Sequence, residues 1–218
     1  MSRVFPDRHT EPAGLNPLPD APGATPWAVS PLPDESEGLP PAVLAPGRDP
    51  RPVLESLRDD VVIAVDWPVI VEAAELTRLG RHLDLVELDR NYPARRADRW
   101  TEASFRVGRR QLARLRACRD LRVVQRYLAA VDDGRAQGWN PIVFGVALAS
   151  FNLPYRQGLM HYAGTLLRGL AERGRPRGVS AGAWEHWMTL LEAPLPEAVQ
   201  RLLPPATPPP GTVAFGER

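Results

Sequence analysis

The sequence contains no lysine: all 27 of its basic residues are arginine. Isoleucine is nearly missing too, with Ile63, Ile70 and Ile142 only, and both shortages fit a chain encoded by GC-rich DNA. Without lysine there is no Walker-type phosphate loop, no Schiff-base chemistry on pyridoxal phosphate or an aldol substrate, and no kinase Lys–Glu pair. Cys118 stands alone, which excludes a disulfide framework and a cysteine-based zinc site. The four histidines, His9, His82, His161 and His186, lie far apart, and no two of them have metal-ligand spacing. Long apolar runs are lacking as well. The longest nearly unbroken one, residues 141–149, is far too short to span a bilayer. The opening Met1-Ser2-Arg3-Val4-Phe5-Pro6 has no apolar export core. The expectation is a cytoplasmic protein without a membrane segment.

What is present in excess is proline, and it is zoned. Residues 1–52 hold 13 of the 25 prolines, residues 53–175 hold 4 and residues 176–218 hold 8. Proline removes a backbone donor and breaks helices, so residues 1–52 read as an irregular or disordered segment. Residues 204–218 read as a Pro-rich, polyproline-like tail. Between them lies one domain, residues 53–203, and 218 residues suffice to bury a core without disulfides. Charge follows the same zones. The first carries 4 Arg against 7 acids and the middle 20 Arg against 15 acids, so a mildly basic centre has acidic flanks.

The centre reads as helix after helix. Asp66 is placed to cap a helix opened by Trp67-Pro68, with Val69, Ala73 and Leu76 recurring at helical spacing. A short helix follows over residues 81–88. A longer one starts near Asp98 with Phe105, Gly108, Leu112 and Leu115 on one face, and the next carries Leu121, Val124, Leu128 and Val131 and stops at Asp133-Gly134. Asn140-Pro141 is a cap and first-turn pair for a helix apolar all round, hence a buried one. Pro154 opens another, with Leu159, Tyr162 or Ala163, Leu166 and Leu170 as its stripe. Only residues 61–65 look strand-like, and they are too few to tell from a buried helix. The fold expected is all-α, a helical bundle around a central buried helix with irregular Pro-rich termini.

Candidate chemistry is sparse. Gly178-Val179-Ser180-Ala181-Gly182 matches the nucleophile elbow of hydrolases, but no strand precedes it and His186 follows too soon, so it reads as a loop. Arginines at 99, 106, 109, 110, 114, 116, 119, 122 and 126 crowd two helices. They surround the helices rather than lining one stripe, and in a lysine-free chain arginine does all ordinary surface work, so nucleic-acid binding is the alternative rather than the first reading. Asp59-Asp60 and Asp132-Asp133 sit where helix ends and turns call for Asp. Gly145 and Ala149, then Gly158, Ala163 and Gly164, suit close helix packing or a helical dimer interface. No catalytic residue, metal ligand or cofactor site is assigned.

Together these stretches resemble a family. Glu102-Ala103-Ser104-Phe105-Arg106-Val107-Gly108-Arg109 is similar to the Glu-Ala-Ser…Gly-Arg helix of the urease accessory family UreF. Pro141-Ile142-Val143-Phe144-Gly145 resembles its Val-Val-Phe-Gly segment. Leu153-Pro154 and Tyr162-Ala163-Gly164-Thr165-Leu166-Leu167-Arg168-Gly169-Leu170 resemble the helix after it, and Asp66-Trp67-Pro68 its Asp–Pro helix start. The resemblance covers about residues 60–170, roughly half the chain. The family's N-terminal Pro-x-Gly-Gly-Phe signature and its Pro-Leu-Gly-Gln segment after Leu170 are absent, and the sequence there has the composition of GC-rich DNA read out of frame.

The resemblance implies an all-α, dimerising scaffold without an active site. Such proteins bridge the accessory protein UreD (also called UreH) and the GTPase UreG, modulate that GTPase, and serve nickel insertion into apo-urease, so nickel cation binding is among the properties the resemblance implies. It marks Glu102, Ser104, Gly108, Arg109, Phe144 and Gly145 as family-pattern or partner-binding positions. Gly108 and Gly145 are expected at packing contacts, and Glu102 with Arg109 as a structural pair or a partner contact.

Overall fold

The computed structural model describes residues 49–95 and 101–203, and everything described is helix or connection. The Pro-rich zone before Asp49, the tail from residue 204 and the helix start expected at Asp98 lie outside these residues. A continuous helical run opens with α1 (Arg51–Ser56), where Pro52 occupies the first turn, in which its missing N–H costs nothing. It passes through a π-helical stretch, Leu57–Asp66, and continues as α2 (Trp67–Arg78). Then come α3 (His82–Arg95), α4 (Thr101–Leu115), α5 (Arg122–Asp132), α6 (Asn140–Ser150), α7 (Tyr155–Gly174), α8 (Ala181–Glu192) and α9 (Leu195–Leu202).

The expected all-α bundle is what forms. Helix α6 is its axis, with every residue from Asn140 to Leu148 buried. It lies between α2 and α4. Gly145 makes the first contact close: a Cβ there would run into the carbonyl of Ile70 and sit 2.8 Å from the Ala73 Cβ. Gly158 plays the same part for α7, where a Cβ would lie 2.6 Å from the Leu148 side chain. Gly164 does not, since its nearest neighbour would be a carboxylate oxygen of Glu192 at 3.8 Å.

Several expectations are corrected. Asp66 does not cap α2. Its backbone is helical and no cap bond forms, because the chain is already helical before it. Its carboxylate is instead fully buried and accepts hydrogen bonds from the hydroxyls of Tyr92 and Tyr162, each at 2.9 Å. The strand-like residues 61–65 belong to the π-helical stretch, whose wider turn brings Leu57, Val61, Val62 and Asp66 to the interior. Helix α3 outruns the expected 81–88 and carries Pro93 in its last turn. The N-cap of α6 is Trp139, with Asn140 as the first helical residue. Ser180, read as part of a loop, caps α8 by accepting from the Ala183 N–H at 3.2 Å. Its hydroxyl is an orthodox helix cap, with no strand before it.

Candidate partner-binding site

Gly108 and Arg109, two of the positions that the resemblance marks, converge on one short segment, the connection from α5 to α6 at Gln137, Gly138 and Trp139. That connection is held from three sides. On the α3 side the fully buried Asp89 carboxylate accepts from the backbone N–H groups of Gln137 and of Gly138, the latter at 3.0 Å, and from the Tyr127 hydroxyl of α5 at 2.6 Å. Burial first, and then the charge of Asp89, push the Tyr127 phenol well above its usual range. Pro93 supplies the second anchor. Having no N–H, it leaves the Asp89 carbonyl four residues earlier without a helical donor, and the Trp139 indole N–H bonds that carbonyl at 3.0 Å.

Helix α4 closes the third side. A Cβ at position 108 would overlap the Gly138 carbonyl and lie 2.5 Å from the Asn140 nitrogen, so backbone passes directly over backbone. Gly138 itself has φ +80°, a conformation glycine adopts without strain. One residue on, the exposed Arg109 donates to the Gln137 carbonyl at 3.2 Å, and its guanidinium lies 5.0 Å from the centre of the Phe105 ring. Phe105 and Tyr92 flank the Trp139 ring at centroid distances of 5.7 and 5.6 Å. The outcome is a rigid aromatic knot with a guanidinium and the half-buried Phe105 at the surface. Such an array can contact a protein partner through a stacked Arg–aromatic pair.

Of the other positions that the resemblance marks, Ser104, Phe144 and Gly145 are interior. Ser104 is 1 % exposed and its hydroxyl has no hydrogen-bond partner among the described residues. Phe144 packs on Tyr162 at 5.2 Å between ring centres, and Gly145 serves the α2 contact. Glu102 lies on the first turn of α4, and its side chain lies outside what is described. Sequence reasoning missed Asp89 and Trp139. A signal for Asp89 was there: it stands on the apolar stripe of α3 between Leu85 and Tyr92, as Asp66 stands between Val62 and Ile70. An acid at a core position needs buried donors.

Several arginines of the crowded helices are engaged within the chain. Besides Arg109, Arg116 pairs with Asp132 at 2.6 Å. Among the described residues no group of three or more His, Cys, Asp or Glu is placed to hold a metal ion, and no helix is long and apolar enough to cross a membrane.

The sequence model of the UreF family matches residues 51–172, more than half of the chain. The chain belongs to the UreF family. No curated protein and no solved structure matched it in comparison. UreF is a family of urease accessory proteins, which work with other accessory proteins and are not themselves catalysts. The match begins with α1 and ends just short of the end of α7, so it takes in the whole of the Gly138 knot and leaves α8 and α9 beyond it.

Proposed function

We propose that this UreF-family chain is a scaffold of urease maturation, acting by protein–protein contact. It recruits and modulates the UreG-type GTPase, bridges it to the UreD/UreH-type accessory protein as a homodimer, and so serves delivery of nickel, the cargo, to apo-urease. The family match over residues 51–172 carries this reading. The rigid knot around Gly138 supports it, because a preorganised surface loses little entropy on binding. Arg109 is then a partner contact as well as a structural one: it holds the loop and keeps its guanidinium exposed over Phe105. The domain assignment follows from the same reading, residues 53–203 forming the scaffold with Pro-rich segments at either end.

The test is co-purification of the tagged chain co-expressed with the UreD/UreH-type and UreG-type proteins of its own source. A defined complex containing both, with two copies of this chain by mass, is the expected result. Elution with neither partner overturns the proposal. Arg109→Ala is expected to lower recovery of a partner several-fold while the free protein still elutes as a folded species.

A further inference from the structure

The connection from α7 to α8 encloses, together with the residues just before α1, a cavity of about 390 Å³. Its walls are Asp49, Arg51, Pro176, Val179, Ala183, Trp184 and Trp187. All but Arg51, the first matched residue, fall outside residues 51–172, so the cavity lies almost wholly beyond the region shared with the family. The Trp184 and Trp187 rings meet at 4.8 Å between centres, tilted by 40°. Trp184 is 4 % exposed, and its buried indole N–H has no hydrogen-bond partner among the described residues. Leaving such a donor unmet costs about 1–3 kcal/mol, so a carbonyl brought to it would stabilise the fold.

Aromatic walls with a free indole N–H are the chemistry that holds extended proline-rich peptides. Proline rings lie on the aromatic faces and the N–H takes a backbone carbonyl. The chain carries such a sequence just before Asp49. Residues 39–46 read Leu-Pro-Pro-Ala-Val-Leu-Ala-Pro, and Gly47-Arg48 joins them to Asp49, itself a wall residue. Proline fixes φ near the polyproline II value before binding, and glycine permits a reversal at position 47. So short a tether corresponds to an effective concentration of about millimolar or more. The other proline run, residues 204–210, starts at the wrong end of α7. The Leu203 carbonyl is bonded by Arg156, at the first turn of that helix, whereas Pro176 lies just past its last. Twenty helical residues separate the ends by about 30 Å, and seven residues of polyproline II reach only about 22 Å.

We propose that residues 39–46 dock in the Trp184–Trp187 cavity of their own chain as a proline-rich strap, with the Trp184 indole N–H donating to a strap carbonyl. The experiment places benzoylphenylalanine at Ala183, an exposed wall residue, in the full chain, irradiates it and maps the cross-link by mass spectrometry. The expected cross-link is within one chain and falls on residues 39–46. Its yield drops several-fold in the double variant Pro40→Ser/Pro41→Ser. A second measurement guards against perturbation by the probe. With 5-fluorotryptophan in the unprobed chain, the ¹⁹F resonances of Trp184 and Trp187 are expected to move in the double variant and to return when a peptide of residues 36–48 is added. Cross-links elsewhere in the chain, cross-links to a second copy with a yield that rises with protein concentration, or ¹⁹F resonances indifferent to the proline substitutions each overturn the proposal.

Discussion

At the scale of single residues, glycine shows how one residue type is used in opposite ways. Gly108 and Gly145 are helical positions where a methyl group would meet backbone atoms, which cannot rotate aside. Alanine there gains about 1 kcal/mol in helix propensity but incurs an overpacking penalty of about 1–3 kcal/mol or more. Gly108→Ala and Gly145→Ala are therefore each expected to lower stability, by a net amount of up to about 2 kcal/mol, read as a lower urea midpoint. Gly169 is also helical, has no positive φ and would meet nothing within 4 Å. Gly169→Ala is expected to raise stability by about 0.5–1 kcal/mol. If all three substitutions move the midpoint the same way, the contact geometry does not govern these sites.

Tyr127 gives a pH dependence whose sign follows from its environment. Burial and then the Asp89 charge hold its phenol neutral, raising its pKa above the unfolded value of about 10. A raised pKa in the fold means stability that is fully present below the unfolded value and lost as pH climbs towards the folded one. Urea midpoints measured from pH 8 to 11 are expected to fall above about pH 10, and the fall is expected to be shallower in Tyr127→Phe. Asp89→Asn tests the same knot at neutral pH. It keeps the shape but turns a donor toward groups that already donate, and a loss of about 3 kcal/mol is expected from disrupting a buried charge-assisted network. A neutral result in the same titration would show that Asp89 does not hold the loop.

At the scale of elements, apolar periodicity was enough to place α4 to α7, because a buried stripe must repeat every three to four residues wherever the helix packs. Gly145 was legible as a packing site for the same reason: glycine inside an apolar helix has little use except close approach. The start of α2 was misread because Asp66-Trp67-Pro68 is locally a good helix opening, and what decides otherwise is distant. The tyrosines that occupy its carboxylate lie 26 and 96 residues away, and the stretch before it is already helical. The Gly138 knot was legible only in part, since the resemblance marks Gly108 and Arg109 but Asp89 and Trp139 meet through tertiary contact. Ser180 reverses the lesson. A motif with a catalytic look is an N-cap, recognisable by the helical stripe Trp184, Met188 and Leu191 after it. Ser180→Ala is expected to lower stability by about 1 kcal/mol in a urea titration. A loss below about 0.3 kcal/mol would mean the cap bond contributes little, since peptide-derived cap values begin near 0.5.

For the whole molecule, the family boundary and the folding boundary differ. The UreF match ends at residue 172, yet α8 and α9 bury Trp184, Met188, Leu191, Leu195, Ala198 and Val199 against the rest. Arg168 ties α7 to α8 through Glu185 and Glu192, and Arg58 reaches the Leu191 carbonyl from the π-helical stretch. Two amphipathic helices that place their apolar residues on the shared core are not what an out-of-frame reading yields, so residues 181–202 are a working part of the fold despite their departure from the family's own segment. The large side chains among the six contribute about 1.5–3 kcal/mol each on burial, and together they rival the 5–15 kcal/mol that holds an ordinary domain folded. A chain terminated after residue 175 is therefore expected to lose its cooperative urea transition and to expose apolar surface, read as a rise in dye binding. The milder pair Leu195→Ala/Val199→Ala, which leaves the backbone of α9 intact, is expected to lower stability by about 3–5 kcal/mol while keeping the urea transition cooperative. Should the shortened chain unfold with the midpoint of the full one, the UreF match would itself bound the folding unit, and α8 and α9 would be an appendage whose buried face stabilises only themselves.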